Sequence, residues 1–529
     1  MREKARQLVS RLNRRQTVGG AAVLISILYL VSRLLGLFRD RLLVAHFGVG
    51  STLDAYTAAF RVPDLLFNLL ITGAFAVAFI PVFTEHWEKD GPGDAWRLTS
   101  SLLNLLVLAT VIVCGVAFVL ADPLTTIVAP GFDPERHRIT VELTRIMLIT
   151  PVIFAVASVL GSIQQAFNRF VFFAVAGALY NIGIIGGIIW LAPRFSIYGV
   201  AWGVVAGVII QVLVEWGGLY GLGFKYSPTL GLHLRGVRQV LKLMLPRSLD
   251  QGLDQINFIV ETMIGSTLRE GSVAALNFAN NLKNVPLVLI ASSITTAVFP
   301  RLAASATRGD RAELIDVYVQ NARLILFLAL PSAVFAVVAR GYIVRLLYGS
   351  GNAATANALG WFAGTIVFSS LFMLVSRVYY AMKDTRTPFT LSLISIPTNI
   401  ALSYVLSRWY DVSGLAMGAS FVAAAETVTL MALLRRRYGS FGESAIWRGG
   451  WRMLLSSVIM GITVYLLIKQ FLPLYALDNG FAALAPKFGL ILVAGVVSYL
   501  VPCNLLKISE AKIFTDRLRR AVIWSTNLT

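Results

Sequence analysis

The chain has 529 residues, of which 57% are hydrophobic and only 14% charged, and its formal net charge is +19. A soluble protein carries about 25% charged residues, so a soluble globular enzyme and a disordered chain are both excluded. The two cysteines, Cys114 and Cys503, each sit in an apolar run, which excludes a disulfide scaffold and any paired-cysteine metal or redox motif.

A helix needs about 20 mainly apolar residues to cross a bilayer. Fourteen such runs are predicted, near 19–47, 52–85, 98–121, 136–167, 170–192, 198–222, 239–267, 272–300, 314–338, 354–382, 387–407, 412–434, 453–470 and 483–506. The fold class is therefore an all-α polytopic membrane protein. The first run follows an arginine-rich start and lacks a small-residue cleavage site, so it reads as an uncleaved span. Placing the N-terminus inside puts 28 of the 46 Lys and Arg in cytoplasmic segments, 9 outside and 9 within spans. That bias predicts both termini in the cytoplasm and an even number of crossings. The net charge is then a topology signal, and nucleic-acid binding is not expected.

An ionisable residue inside a span costs roughly 2.5–3.5 kcal/mol on insertion scales and marks a cavity or a partner. Span 1 carries Arg33, Arg39, Arg41 and Asp40, with Gly36 between them. Helical spacing places Arg33 and Asp40 on one face, with Arg39 about 120° away. Arg33 and Arg39 read as a cationic lining for an anionic group, with local neutralisation by Asp40 or Asp54 as the alternative, while Arg41 snorkels to the outer interface. Span 7 gathers Arg247, Asp250, Asp254 and Glu261 within one sector. Such a stripe suits a cation or proton site; a salt-bridge ladder to a neighbouring helix accounts for it equally well. Span 8 adds Asn277, Asn280, Asn281, Lys283 and Asn284, suited to a polar head group or to interhelical bonding. Arg377 lies in span 10, and Asn399 and Ser420 in spans 11 and 12 offer neutral oxygens to a hard cation. The glycines at 183, 186, 187, 199 and 203 mark close helix packing. No phosphate-binding loop or hydrolase motif is present, so any work done must draw on an ion gradient or the membrane potential.

The chain also repeats itself. Arg61, Val62, Pro63 and then Phe79 and Pro81 match Asn284, Val285, Pro286 and then Phe299 and Pro300. Gln165, Ala166 and Phe167 with Asn181 match Tyr380, Ala381 and Met382 with Asn399, and Tyr198, Gly199, Ala201 and Gly203 match Ser413, Gly414, Ala416 and Gly418. The repeat relates spans 1–6 to spans 7–12, two parallel six-helix lobes with spans 13 and 14 outside it. Transporters built from parallel repeats bind substrate between the halves and alternate access by rocking. The predicted domains are a basic tail at 1–18, an N-lobe at 19–222, a cytoplasmic linker at 223–238, a C-lobe at 239–436, spans 13 and 14 within 437–506, and a tail at 507–529.

Several stretches are similar to one known family. Ser32, Arg33, Gly36, Arg39, Asp40, Phe47, Gly48, Asp54, Ala55, Phe60, Arg61, Pro63, Gly73, Phe75, Phe79 and Pro81 resemble the start of the MurJ (MviN) lipid II flippases. Pro130, Gly131 and Phe132, then Asn168 and Arg169, Pro300 and Arg301, and Lys383 to Pro388 extend the resemblance over the whole chain. That family belongs to the multidrug/oligosaccharidyl-lipid/polysaccharide exporter superfamily. The resemblance implies a central cationic cavity and a groove at spans 13 and 14 for the lipid tail. It implies substrate-binding roles for Arg33, Arg39, Asp40 and Asp54, with Arg33 and Arg39 on the pyrophosphate. Asn68 and Asn281 stand where many relatives have Arg; Arg61 and Lys283 are the candidates to compensate, and Asn284 is a further substrate-binding candidate. Some relatives hold sodium between spans 7, 11 and 12, which would fall here to Asp250, Asp254, Asn399, Ser403 and Ser420.

The expectation is a monomeric transporter, not an enzyme, in the bacterial inner membrane. It would move lipid II, an undecaprenyl-pyrophosphate-linked disaccharide pentapeptide, from the inner to the outer leaflet by alternating access. It would hold no cofactor beyond a coupling sodium ion or proton. The alternative is an exporter of another lipid-linked saccharide, or of drugs, from the same superfamily.

Overall fold

The computed structural model describes residues 18–71, 74–349, 352–475, 478 and 480–512, and at 18–26, 74, 245–247, 249–251, 253 and 254 the backbone alone. The tail expected at 1–18 falls almost wholly outside them, as does most of that at 507–529. The described residues form helices and no strands. They divide into two compact units, the first ending at Val273 and the second starting at Ala274.

The first unit contains α1 (Val18–Phe47), α2 (Ser51–Ala59), α3 (Arg61–Leu70), α4 (Ala74–Lys89), α5 (Pro92–Val119), α6 (Ala121–Val128), α7 (Pro134–Met147), α8 (Ile149–Ala166), α9 (Val171–Gly186), α10 (Ala192–Gly218) and α11 (Arg235–Ser266). The run expected as one span at 52–85 is broken into α2, α3 and α4. The run at 136–167 breaks at Leu148 because Pro151 has no N–H to give the Met147 carbonyl; Thr150 Oγ1 takes that carbonyl instead, at 2.7 Å. The main core joins α4, α5, α8 and the start of α11 through Phe75, Phe79, Phe83, Trp96, Leu160 and Val237. Phe75, Phe79 and Phe83 recur every four residues along α4, so their rings stack at 5.0 and 5.2 Å. A smaller cluster around Val62, Val128 and Leu148 includes Cys114. By sequence repeat α11 opens the second half; by packing it belongs with α3 and α4 of the first unit.

The second unit contains α12 (Ser272–Pro286, its first turn at the seam), α13 (Ser293–Arg308), α14 (Arg311–Val338), α15 (Arg340–Tyr348), α16 (Ala353–Trp361), α17 (Ala363–Ala381), α18 (Arg386–Tyr410), α19 (Val412–Tyr438), α20 (Glu443–Leu466) and α21 (Phe481–Leu505). Its core joins α14, α17, α20 and α21 through Tyr318, Phe327, Leu374, Met453, Tyr499 and Cys503. Buried tyrosines need partners for their hydroxyls. Tyr499 donates to the Phe327 carbonyl (2.7 Å) and Tyr379 to that of Leu430 (3.1 Å). Arg323, one of the nine span cations, forms a two-point pair with Glu510 at 2.7 and 3.0 Å.

The duplication is written into the backbone. Non-glycine residues at positive φ occur at Asn168 (57°) and Lys383 (64°), and again at Ser196 (50°) and Asp411 (55°), each pair 215 positions apart. After the first pair the chain closes identically: Arg169 N–H bonds Gln164 O at 2.8 Å, and Asp384 N–H bonds Tyr379 O at 2.9 Å. After the second pair the helices fold back on their predecessors. Gly199 lies against Leu191 and Gly414 against Leu406, where an added Cβ would sit 2.5 and 2.3 Å from backbone atoms. Gly183 meets Gly207 and Gly187 meets Gly203, so α9 and α10 are an antiparallel hairpin with its turn at Ser196.

The described residues hold eleven segments long and apolar enough to cross a membrane. One of them, Val171–Gly218, is this folded hairpin, and its 48 residues have the length for two crossings. Helices α1 and α11, of 30 and 32 residues, also have the length to span. Fourteen crossings are compatible with this arrangement.

Candidate substrate-binding site

The most developed polar cluster in the first unit forms where α1 packs along α9. Ser32 and Gly36 of α1 meet Gly177 and Asn181 of α9, and the two glycines let the helices close up. That contact brings Arg39 to Asn181. Arg39 Nε and Nη2 donate to Asp40 Oδ1 at 3.0 and 2.7 Å, and Nη1 donates to Asn181 Oδ1 at 3.1 Å. Asn181 Nδ2 donates in turn to the carbonyls of Gly177 and Ser32 at 3.2 and 3.3 Å. Three of the five guanidinium N–H groups are thus engaged, and the plane is fixed from two sides. Asp40 is buried, and Tyr56 of α2 and Tyr180 of α9 lie in the electrostatic neighbourhood of the guanidinium.

Arg33 stands apart. It is exposed, and its Nε donates to the hydroxyl of Tyr29, one turn back on the same helix, at 3.3 Å. Asp54 is buried, and its Oδ2 accepts the Gly271 N–H at 2.6 Å, which fastens α2 to the turn following α11. Gly131 N–H, donating to Ser266 Oγ at 3.1 Å, fastens the same turn from a second side. Arg61 Nε donates to Thr262 Oγ1 at 2.7 Å, with its guanidinium 5.6 Å from the Phe258 ring, so it joins α3 to α11. Asn68 donates to the Asp64 carbonyl of its own helix at 2.8 Å.

In the second unit, Lys283 Nζ lies 4.0 Å from the centre of the Phe362 ring. Asn281 and Asn284 are half-buried on α12. Asn399 and Ser403 are together on α18, Ser403 Oγ donating to Asn399 Oδ1 at 3.3 Å with both residues buried. Ser420 is engaged elsewhere: its Oγ donates to Trp361 O (2.6 Å) and accepts from Thr365 N–H (3.1 Å), bridging the break between α16 and α17. The side chains of Asp250 and Asp254, with Arg247, lie outside the described residues.

Three features escaped the sequence reading. Asn181 was visible only as a repeat marker, not as the partner of Arg39. His86 Nδ1 lies 2.8 Å from Asp94 and 3.1 Å from Asp90, because Gly91 at a φ of 86° turns α5 back toward the end of α4. Glu215 is buried in α10; a search of span 6 for acids as well as for Lys and Arg would have found it.

The loop cluster Lys383 to Pro388 is a helix start. Asp384 Oδ1 accepts Thr387 N–H at 3.0 Å, its Oδ2 accepts Thr387 Oγ1 at 2.6 Å, and Arg437 Nη1 reaches Oδ2 at 3.1 Å. Partial burial works against ionisation of this carboxyl, but the Thr387 bonds and the Arg437 charge outweigh it, holding Asp384 below the usual carboxylate range.

Comparison with known proteins covers most of the chain. The family described as "Lipid II flippase MurJ" matches residues 43–484. A probable lipid II flippase MurJ of Rhizobium tropici is 26% identical over 519 residues, covering 95% of this chain and 96% of the relative. Another, of Bdellovibrio bacteriovorus, is 30% identical over 452 residues, covering 82% and 85%. Among solved structures, a lipid II flippase MurJ in an inward closed conformation superposes with a TM-score of 0.77 at 24% identity, covering 92% of this chain and 98% of that one. An inward-facing multidrug transporter of the MATE family and MOP superfamily gives 0.64 at 16% identity, covering 80% and 99%. At these identities the structural likeness speaks for the fold. The sequence match, spanning both units, settles the family: this chain belongs to the lipid II flippase MurJ family of multi-pass membrane transporters.

Proposed function

We propose that this chain moves lipid II across the membrane, from the cytoplasmic to the outer leaflet, without making or breaking a bond in it. The observation that carries this reading is the family match running through residues 43–484 of both units. The Arg39 cluster supports a site for the substrate's charged part. A pyrophosphate entering a low-dielectric interior needs cations with fixed N–H groups, and a guanidinium held by Asp40 and Asn181 meets it without reorganising. Arg33, exposed on the same helix, is the second candidate cation.

The cycle we propose is alternating access, with the polyprenyl tail remaining in lipid beside α20 and α21. Their outward residues support this: Trp447, Ile462, Leu490, Val493 and Leu505 are all exposed and apolar. Resetting draws on a sodium or proton gradient or on the membrane potential, with both termini in the cytoplasm. The test is complementation of a strain depleted of its own flippase. The wild-type chain restores growth and Arg39→Ala does not, with both present at equal levels in the membrane. Failure of the wild-type chain to restore growth, despite correct insertion, would overturn the reading.

A further inference from the structure

Glu215 lies near the end of α10, at the end of the first unit that the Lys and Arg bias assigns to the cytoplasm. Its side chain is packed inside the bundle, with the residue 2% exposed. Oε1 accepts one bond, from the neutral amide of Gln211 at 3.1 Å. Oε2 is buried and has no hydrogen-bond partner among the described residues, and the same holds for Oε1 of Gln164 on the facing helix α8. Gln164 uses its Nε2 on the backbone carbonyl of Glu215, at 2.9 Å, so its amide oxygen is the atom left over. A carboxylate in such a place, with one neutral donor on it and no cation bonded to it, is strongly disfavoured until a positive charge joins it.

The surrounding elements supply none. Helix α9 has no charged residue. Helix α8 has none either, and Arg169, in the turn after it, donates to the carbonyls of Gly218 and Tyr220. The charges of α7, Glu135, Arg136, Arg138, Glu142 and Arg145, belong to the helix that meets the other end of α10, where Tyr198 donates to Glu142. Among the described residues Glu215 is in no ion pair, and the one side chain that bonds its carboxyl is Gln211.

The repeat shows that the fold does not need an acid here. At the spacing of 215, Gln164 corresponds to Tyr379 and Glu215 to Leu430. The backbone contact is kept: Tyr379 Oη donates to Leu430 O at 3.1 Å, as Gln164 does to Glu215 O. The side chain is not kept, since Leu430 fills the equivalent place fully buried. An apolar residue satisfies the packing, and the carboxyl of Glu215 answers some other demand.

We infer that Glu215, with Gln164 Oε1 beside its turn, is a cation-accepting site of the first unit, taking up one exchangeable positive charge as a proton or a sodium ion. Its use in driving the cycle rests on the transport reading above; the binding itself does not. The probe is the full-length protein purified into nanodiscs and followed by infrared difference spectroscopy, titrated once with acid and once with sodium chloride against potassium chloride. If the charge is a proton, wild type shows a protonated-carboxyl carbonyl band that titrates and is lost in Glu215→Gln. If it is sodium, carboxylate bands shift on sodium addition in wild type and not in Glu215→Gln. A Glu215 band that never titrates, or wild-type and variant spectra that superimpose in both titrations, overturns the proposal. Should Glu215→Gln fail to fold, Gln211→Leu keeps the acid and removes its one donor, and the same band must then shift; no shift overturns the proposal equally. In proteoliposomes, Glu215→Gln loses the dependence of lipid II translocation on the gradient identified. If wild type moves no lipid II, the transport reading fails while the spectroscopic result stands.

Discussion

The two hairpins, α9–α10 in the first unit and α18–α19 in the second, share a backbone and differ in cargo. Both are entered through a non-glycine residue at positive φ, Asn168 or Lys383, and both turn at another, Ser196 or Asp411. Both close on a glycine whose Cβ would strike backbone, Gly199 or Gly414. The first hairpin carries Asn181, which holds Arg39, and the buried acid Glu215, which is in no ion pair among the described residues. The second carries Asn399 with Ser403, and Leu430 in place of the acid. A duplicated scaffold keeps its turns and close contacts because sterics enforce them, while side chains facing the interior are free to specialise.

The largest break in this comparison is expected at Arg39. Arg39→Ala takes the guanidinium away from the buried Asp40, and breaking such a pair costs about 3 kcal/mol. Thermal unfolding in detergent measures that loss, and Arg39→Lys, which keeps the charge but loses the fork on Asp40 and Asn181, should recover most stability and little complementation. Next come the paired glycines. Gly199→Ala and Gly414→Ala each force a Cβ to within 2.5 or 2.3 Å of backbone atoms, with an expected destabilisation of roughly 1–3 kcal/mol apiece. Equal losses in the two variants sharpen the equivalence of the hairpins; a neutral Gly414→Ala would break it.

A smaller effect is expected at Asp384, where the second hairpin has a cap and the first has Arg169. Asp384→Ala should cost about 1 kcal/mol as a lost helix start. Because the folded carboxyl is held below its ordinary range, its contribution is present above the unfolded pKa and is lost as pH falls through the folded one. Unfolding measured down an acid series should show that decline in wild type and a flatter limb in Asp384→Asn. The smallest effect is at the turns: Ser196→Gly and Asp411→Gly relieve left-handed strain and should each stabilise by up to about 1 kcal/mol, read as a rise in melting temperature.

Much of the fold was legible because hydropathy and repeated words are properties of single segments. The break between spans 5 and 6 was read between 192 and 198, and the chain turns at Ser196. The match of Gly199 with Gly414 was visible before any contact was known. The pairing of Arg39 with Asp40 was legible only as the alternative reading of span 1, local neutralisation within one helix. Partners on other helices were not. Asn181 meets Arg39 only because Gly36 and Gly177 let α1 and α9 approach, and no helical wheel of α1 carries that information. Asp54 and Ser420 read as polar groups awaiting a ligand; in the fold they bond backbone groups exposed by a loop and by a helix break. Segment breaks create such backbone demands, and hydropathy averages over them.

The two cysteines have a practical consequence for dissecting the cycle. Cys503 is fully enclosed in the second unit's core and Cys114 is 5% exposed in the small cluster of the first. Thiol-reactive dyes and spin labels should therefore find the native chain nearly silent. Single reporter cysteines placed at Asn168 and Lys383, the matched turns of the duplication, could then track each half of the protein separately without first stripping the sequence of its own thiols.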